Sequence, residues 1–240
     1  MNLQDLIKTT RQGRPPRIVL HGMPSVGKST WAAGAPSPIF LPTEDGLVGI
    51  NVSQFPVAQT LTEFFSYMDL LINEKNDYQT IVIDTVDWLE KLIWKTVCED
   101  NRVKNIEEIG YGKGYHFANR YWEKFFAGLN VLHAKGAAIV VLAHSEIRGY
   151  NPPDGEGYDR FVLKVHKIPA ATLEEWADIM LFASFEVIVN AKTKKAINNQ
   201  SERIIHTTSC PAWKTKKRYV LPDILPLDFS ALMDAIKTNK

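Results

Sequence analysis

The chain has 240 residues, 45% of them hydrophobic and 23% charged, enough for one large α/β domain with a proper core. Its 28 basic and 27 acidic residues leave a net charge of +1, which excludes a global basic field, so any DNA contact must use local patches. Cys98 and Cys210 are too far apart for a C-x-x-C pair; this argues against a zinc site or a disulfide framework and fits a reducing cytoplasm. Met1 to Arg14 shows no apolar signal region, and no apolar run is long enough to span a bilayer, so the expectation is a cytoplasmic protein with no membrane partner.

From the N-terminus, Arg17 to His21 reads as the first strand. Behind it comes Gly22-Met23-Pro24-Ser25-Val26-Gly27-Lys28-Ser29, an uninterrupted G-x-x-x-x-G-K-[ST] loop, and then a helix-like run from Ser29 through Thr30 to Ala33. Glycines let backbone N–H groups turn toward a phosphate chain at a helix N-terminus, where the macrodipole favours negative charge. Lys28 would reach the β- and γ-phosphates, and the Ser29 hydroxyl would hold Mg²⁺. Residues 22 to 30 are the expected nucleotide cradle, with ATP and Mg²⁺ as the expected cofactors.

Pro38 to Leu41 is a second strand, ending at Pro42-Thr43-Glu44-Asp45-Gly46. Leu61, Phe65, Met68 and Ile72 have helical spacing. Thr80 to Asp84 is a strand ending in a carboxylate. Val86, Leu89, Ile93 and Val97 stripe the next helix, and Ala118, Trp122, Phe125, Leu129 and Leu132 the one after. Ala137 to Ala143 is the most β-like run and should be a central strand. A polar loop follows over Ser145 to Arg160, then a strand near Phe161 to Val165, a helix near Thr172 to Trp176, and a strand over Ile179 to Val189. Asn190 to Arg203 is charged and turn-rich, a hairpin tip or mobile loop. Arg203 to Thr208 is strand-like, and Leu232, Met233 and Ile236 mark a closing helix. Strands alternating with helices imply an α/β fold with a mainly parallel sheet. The expected organisation is a single domain over 1–240, with 1–14 as an extension and 145–165 and 190–203 as mobile loops.

Hydrolysis needs a second carboxylate and a group that positions water. Asp84 at its strand end is placed to hold the metal beside the phosphate loop, or to cap the helix that starts near Val86. Glu44, at the edge where open α/β sheets bind ligands, suits a general base; Asp45 competes for the role, and a solvated loop acid is the plainer alternative. His144 ends the central strand, where an imidazole would contact the γ-phosphate or simply be a buried histidine bonded to backbone. Arg148, Tyr150 and Arg160, and the tract Lys192, Lys194 and Lys195, are candidates for DNA contact or ordinary surface charges. Lys214, Lys216, Lys217 and Arg218 lie beside Trp213 and Tyr219, a pattern that grips single strands or simply faces solvent. Trp31, Trp88, Trp94 and Trp176 fall on apolar faces and read as core.

Gly22 to Thr30, Thr43-Glu44-Asp45-Gly46-Leu47, Ile81-Val82-Ile83-Asp84 and Val141-Leu142-Ala143-His144-Ser145 together resemble the RecA-like ATPase core. More narrowly, the chain is similar to small phage-encoded ATP-binding proteins that include single-strand annealing recombinases. Tyr111-Gly112-Lys113-Gly114-Tyr115 ahead of an aromatic helix, and Lys216-Lys217-Arg218-Tyr219-Val220-Leu221-Pro222, carry that narrower match. The resemblance implies a P-loop NTPase core with a C-terminal antiparallel extension, Glu44 as catalytic glutamate and Asp84 as Walker B aspartate. His144 falls where RecA has a glutamine linking the γ-phosphate to DNA-binding loops. Lys28 is implied in catalysis, and Lys216 and Arg218 as cations reaching a neighbouring subunit's nucleotide. The implied function is an ATPase that binds single-stranded DNA and assists phage recombination or annealing as a ring or filament, with a single-strand-binding or replication protein as a further partner. The alternative is a replication loader or accessory acting through a protein partner.

Overall fold

The structure is a computed structural model describing residues 14–189 and 196–238. It runs β1 (Arg17–Gly22), α1 (Lys28–Ala33), β2 (Pro38–Pro42), β3 (Ser53–Gln54), α2 (Leu61–Asn73), β4 (Thr80–Asp84) and α3 (Val86–Asn101). A 3₁₀ turn at Ile106–Ile109 leads to α4 (Lys113–Ala134), β5 (Ala138–Tyr150), β6 (Tyr158–Leu163), α5 (Lys167–Trp176), β7 (Ile179–Val189), β8 (Ala196–His206), β9 (Lys216–Lys217), β10 (Ile224–Pro226) and α6 (Phe229–Thr238).

These strands form one sheet in the order β10-β8-β7-β1-β5-β4-β2-β3, with β6 on β5 and β9 on β7. The run from β7 to β3 is parallel; β8 on β7 and β10 on β8 are antiparallel. This is the mixed α/β fold of a P-loop NTPase, with the antiparallel extension at its C-terminal side. Register brings Gly22 level with His144, Leu142 level with Asp84, and Asp84 level with Pro42. The ends of four strands therefore meet at one edge, where open α/β sheets hold their ligands.

Alternation along the central strands builds two cores. Val19, Ile39, Leu41, Ile81, Ile83, Ile139 and Val141 face one side, against Phe64, Phe125 and Leu129. Ile18, Leu20, Phe40, Val82, Val140 and Leu142 face the other, against Trp31, Phe229 and Leu232. A strand covered on both faces reads as an unbroken apolar run, which is why the sequence displays these strands so clearly. Helix α2 begins at Thr60, whose side chain accepts from the Glu63 N–H, while the Glu63 carboxylate accepts from the Gln59 N–H at 2.8 Å, a pairing close to a capping box.

Three expectations change. Residues 145–165 are mostly strand, with a loop at 151–157. Strand β5 continues to Tyr150 and pairs with β6 as a long antiparallel hairpin, with Ser145 opposite Leu163 and Tyr150 opposite Tyr158. Its outer part interleaves Arg148, Gly149, Asp159 and Arg160 with Ile147, Tyr150 and Tyr158, so no regular apolar alternation announces it. Within 190–203, residues 196–203 belong to β8, and 190–195 with Lys192, Lys194 and Lys195 lie outside the described residues. Trp88 is not core: it is 39% exposed, with the Lys91 ammonium 3.3 Å above its ring. Among the described residues no helix is long and apolar enough to cross a membrane.

Candidate nucleotide site

The loop of residues 22–29 leaves β1 and enters α1. A Cβ at Gly22 would stand 2.6 Å from the Ala183 carbonyl oxygen of β7, and Gly27 holds φ +100°, so both positions require glycine. The Lys28 side chain curls back into the loop. It is 5% exposed, and its Nζ donates to the carbonyls of Gly22 and Met23, each at 3.2 Å. Burial lowers its pKa, opposed by the carboxylates of Asp84, Asp87 and Glu44. Those contacts hold a cation where the loop would take phosphate.

Strand β5 lies between β1 and β4, so Asp84 reaches the phosphate loop across one intervening strand. It faces the Ser29 hydroxyl. Burial raises its pKa to about 6, with Ser29 pulling it back, Glu44 raising it further, and Lys28 and His144 lowering it. Asp84 does not cap α3; Thr85 occupies that position. Its Oδ2 is buried with no hydrogen-bond partner. An orphaned carboxylate oxygen beside a serine hydroxyl suits a hard divalent cation that keeps several ligands for phosphate and water. Among the described residues no group of three or more His, Cys, Asp or Glu side chains is arranged to hold a metal. Ser29 and Asp84 are therefore the residues that would hold Mg²⁺, with a nucleotide's phosphates completing the shell.

A web of threonines sets Glu44 beside them. The Thr85 hydroxyl donates to Glu44 Oε1 at 2.8 Å, Thr43 Oγ1 donates to the Thr85 carbonyl at 2.6 Å, and the Thr85 N–H donates back to Thr43 Oγ1 at 3.0 Å. The Asp84–Thr85 peptide joining these groups is cis. Asp45, the rival acid, is exposed.

His144 is clamped by a residue the sequence reading did not single out. Asp87 Oδ1 accepts the His144 N–H at 2.8 Å, and Asp87 Oδ2 lies 3.0 Å from its Nδ1. Glu44 Oε1 is 3.8 Å from the same nitrogen. A carboxylate facing Nδ1 assigns the ring proton there and leaves Nε2 for a ligand. Burial opposes ionisation of Asp87, but the hydrogen bonds from the His144 ring and N–H and from Thr85 outweigh it and lower its pKa. The available signal was the spacing Asp84-Thr85-Val86-Asp87, which places a second acid in the first turn of α3.

His21 is a second omission. It is fully buried between the Ser145 hydroxyl, 2.9 Å from Nδ1, and the Lys214 carbonyl, 3.1 Å from Nε2. Rings of Phe182, Phe161, His206 and Trp213 stack on from it.

Other expected site residues lie elsewhere. Lys216 and Lys217 pair with Met180 and Ile179 at the start of β7, the edge opposite the phosphate loop. Lys216 Nζ donates to the carbonyls of Glu174 and Glu175, closing the C-terminus of α5, and Arg218 binds Asp178 at 2.9 Å. Arg148, Tyr150 and Arg160 sit on the hairpin. Arg148 donates to the Val165 carbonyl at 3.1 Å and pairs with Glu146; the Arg160 guanidinium lies 3.9 Å from the Tyr150 ring centroid.

A family model described as an AAA domain matches residues 14–219. The chain belongs to that family. It is also similar to an SPbeta prophage-derived uncharacterized protein, YorG, of Bacillus subtilis strain 168, at 28% identity over 134 residues. The match covers 53% of this chain and 40% of that protein, so it spans well under half the length of this phage-derived relative. The family is one of P-loop NTPases, which agrees with the phosphate loop and supports nucleotide binding.

The buried His21 produces a testable linkage. Burial, with a smaller contribution from Lys28, takes its pKa from 6.5 to about 4, against the Lys214 hydrogen bond. Between those values the unfolded chain binds the proton and the folded AAA domain does not, so stability falls as pH falls. Relative to His21→Gln, the wild type is expected to lose on the order of 3 kcal/mol from pH 6.5 to 4, read from urea midpoints of both proteins across that range. The comparison cancels the opposing contribution of Asp84, which is common to both. Parallel pH profiles would contradict the linkage.

Proposed function

We propose that this AAA domain hydrolyses ATP with Mg²⁺, binds single-stranded DNA, and assists phage recombination or strand annealing. The observation that carries the reading is the path of β5. The strand that presents His144 beside Glu44 and Asp87 continues without a break into the β5–β6 hairpin. There, register places Arg148 opposite Arg160 and Tyr150 opposite Tyr158 on one face. Two cations and two aromatic rings on one face suit phosphate contact and base stacking along a single strand.

Ser29 and Asp84 would hold Mg²⁺, which would supply positive charge to offset what develops on the phosphates during transfer. Lys28 balances charge at the β- and γ-phosphates. Glu44, oriented by Thr85, accepts a proton from the attacking water, whose oxygen forms the new bond to phosphorus as the bond to the ADP oxygen breaks. His144, held by Asp87, registers whether the γ-phosphate is present. Glu44→Gln is expected to lower ATP turnover by about 10²- to 10⁴-fold, the range of general base catalysis, with nucleotide affinity little changed; turnover and calorimetric binding on the same preparation check this.

Single-stranded oligonucleotide should stimulate turnover, more at low salt than at high salt. Tyr150→Ala and Arg160→Ala should each weaken oligonucleotide binding by about 1–3 kcal/mol without changing turnover in its absence. Stimulation that survives both substitutions would remove the hairpin from the reading.

Lys216 and Arg218, distant from their own phosphate loop, fit the proposed ring or filament by acting on a neighbouring copy's nucleotide. Arg218→Ala and Glu44→Gln proteins, each inactive alone, should recover part of the turnover when mixed. No recovery at any mixing ratio would exclude the trans arrangement.

Exposed apolar residues close to the site favour a second reading, a replication loader or accessory that meets a protein partner. Val48 is 86% exposed, four residues beyond Glu44, and Ile147 is 58% exposed, three beyond His144. Stimulation of turnover by a replication protein and not by oligonucleotide would select this reading.

A further inference from the structure

Glu90 is a buried acid that takes no part in the proposed phosphoryl transfer. It lies on α3 three residues beyond Asp87, so the two share a helix face, and they are 5% and 4% exposed. Both Glu90 carboxylate oxygens accept the His166 N–H, at 2.9 and 3.0 Å. His166 precedes α5, which has no acid in its first turn and no side-chain cap of its own. The acceptor at that helix start therefore comes from another helix.

These contacts close a ring of bonds. From α3, Asp87 holds His144. The His144 carbonyl accepts the Lys164 N–H at 2.9 Å. Val165 follows, its carbonyl accepting from Arg148 at 3.1 Å, and His166 returns to Glu90. Residues 164–166, which join β6 to α5, are thereby pinned from β5 and from α3 together. The His166 ring is covered by Tyr115, the last residue of the Tyr111–Tyr115 run, with ring centroids 4.1 Å apart and planes within 4° of parallel.

We propose that Glu90 is a positioning residue that latches the β6–α5 connection to α3 and so keeps the hairpin aligned with His144. This rests on the reading of the hairpin as an oligonucleotide contact and adds its regulation. With the latch open, the connection lifts from α3 and the Arg148–Tyr150 face loses its fixed relation to the imidazole.

A proton sets the strength of the latch. Burial lifts the Glu90 pKa from 4.5 to about 7, with Asp87 and Glu146 adding to the rise and the His166 N–H and Arg148 opposing it. Tyr115 of α4 also faces it. Opening returns the carboxyl to water and to its ordinary value. Between 4.5 and 7 the closed form binds a proton that the open form does not, so the latch weakens as pH rises through that window. Glutamine keeps an oxygen for the His166 N–H and has no charge to draw into water.

The test is hydrogen exchange of the amides over 164–170 in the wild type, Glu90→Gln and Glu90→Ala, at about pH 5.5 and 7.5. ATP turnover with and without single-stranded oligonucleotide is measured alongside. Dividing wild-type exchange by that of Glu90→Gln at the same pH cancels the intrinsic chemistry and the titrations of Asp84 and His166, common to both proteins. The ratio should rise about tenfold between the two pH values. Glu90→Ala, which leaves the His166 N–H without its acceptor, should exchange faster than Glu90→Gln at both. Stimulation by oligonucleotide should follow the latch: kept by Glu90→Gln at both pH values, falling in the wild type as pH rises, and lost in Glu90→Ala. An exchange ratio that does not move with pH would overturn the latch, and this comparison stands even if Glu90→Ala does not fold. A ratio that rises while wild-type stimulation stays level would leave Glu90 a structural bond and overturn its positioning role. Absence of stimulation in both the wild type and Glu90→Gln would instead bring down the oligonucleotide reading, and the exchange ratio alone would then decide the latch.

Discussion

One buried ammonium surrounded by three carboxylates organises the site. Lys28 leaves water at a desolvation cost that Gly22 and Met23 carbonyls and the fields of Asp84, Asp87 and Glu44 offset. Those acids reach it only because parallel strands end at a common level, with β5 between β1 and β4. The group carries more negative than positive charge when all four are ionised, and the unpartnered oxygen of Asp84 is where that surplus is least compensated. A divalent cation bound with a polyphosphate would relieve it, whereas phosphate alone would add to it.

How far this was readable from the sequence depends on whether a residue's neighbours are local. The phosphate loop is contiguous, and its glycines are dictated by backbone clearance at Gly22 and by φ at Gly27. The central strands were plain because both faces are apolar. Asp87 was hidden because an acid in a helix's first turn is explained by the helix itself; its bonds to His144 cross from α3 to β5. His21 looked like one more strand residue, since its partners Ser145 and Lys214 are distant in sequence.

The outer hairpin failed to register for a different reason. Arg148 and Tyr150 are stabilised as strand by pairing with Arg160 and Tyr158, and Arg160 packs as a cation on both tyrosine rings instead of aliphatic on aliphatic. Hydropathy has no vocabulary for that. Trp88 shows the converse: a helical stripe predicts which positions can be covered, but a lysine on the adjacent turn can cover a ring in place of the core.

Strand β5 has 13 residues. Its first half is gripped on both sides by β1 and β4, and its second half by β6 alone. His144 sits at the changeover, between a segment paired on both sides and an arm paired on one. The arm from there to Tyr150 is roughly 20 Å long at the usual rise of a strand. Any change of direction at that root would be magnified along the arm toward its tyrosine-bearing tip.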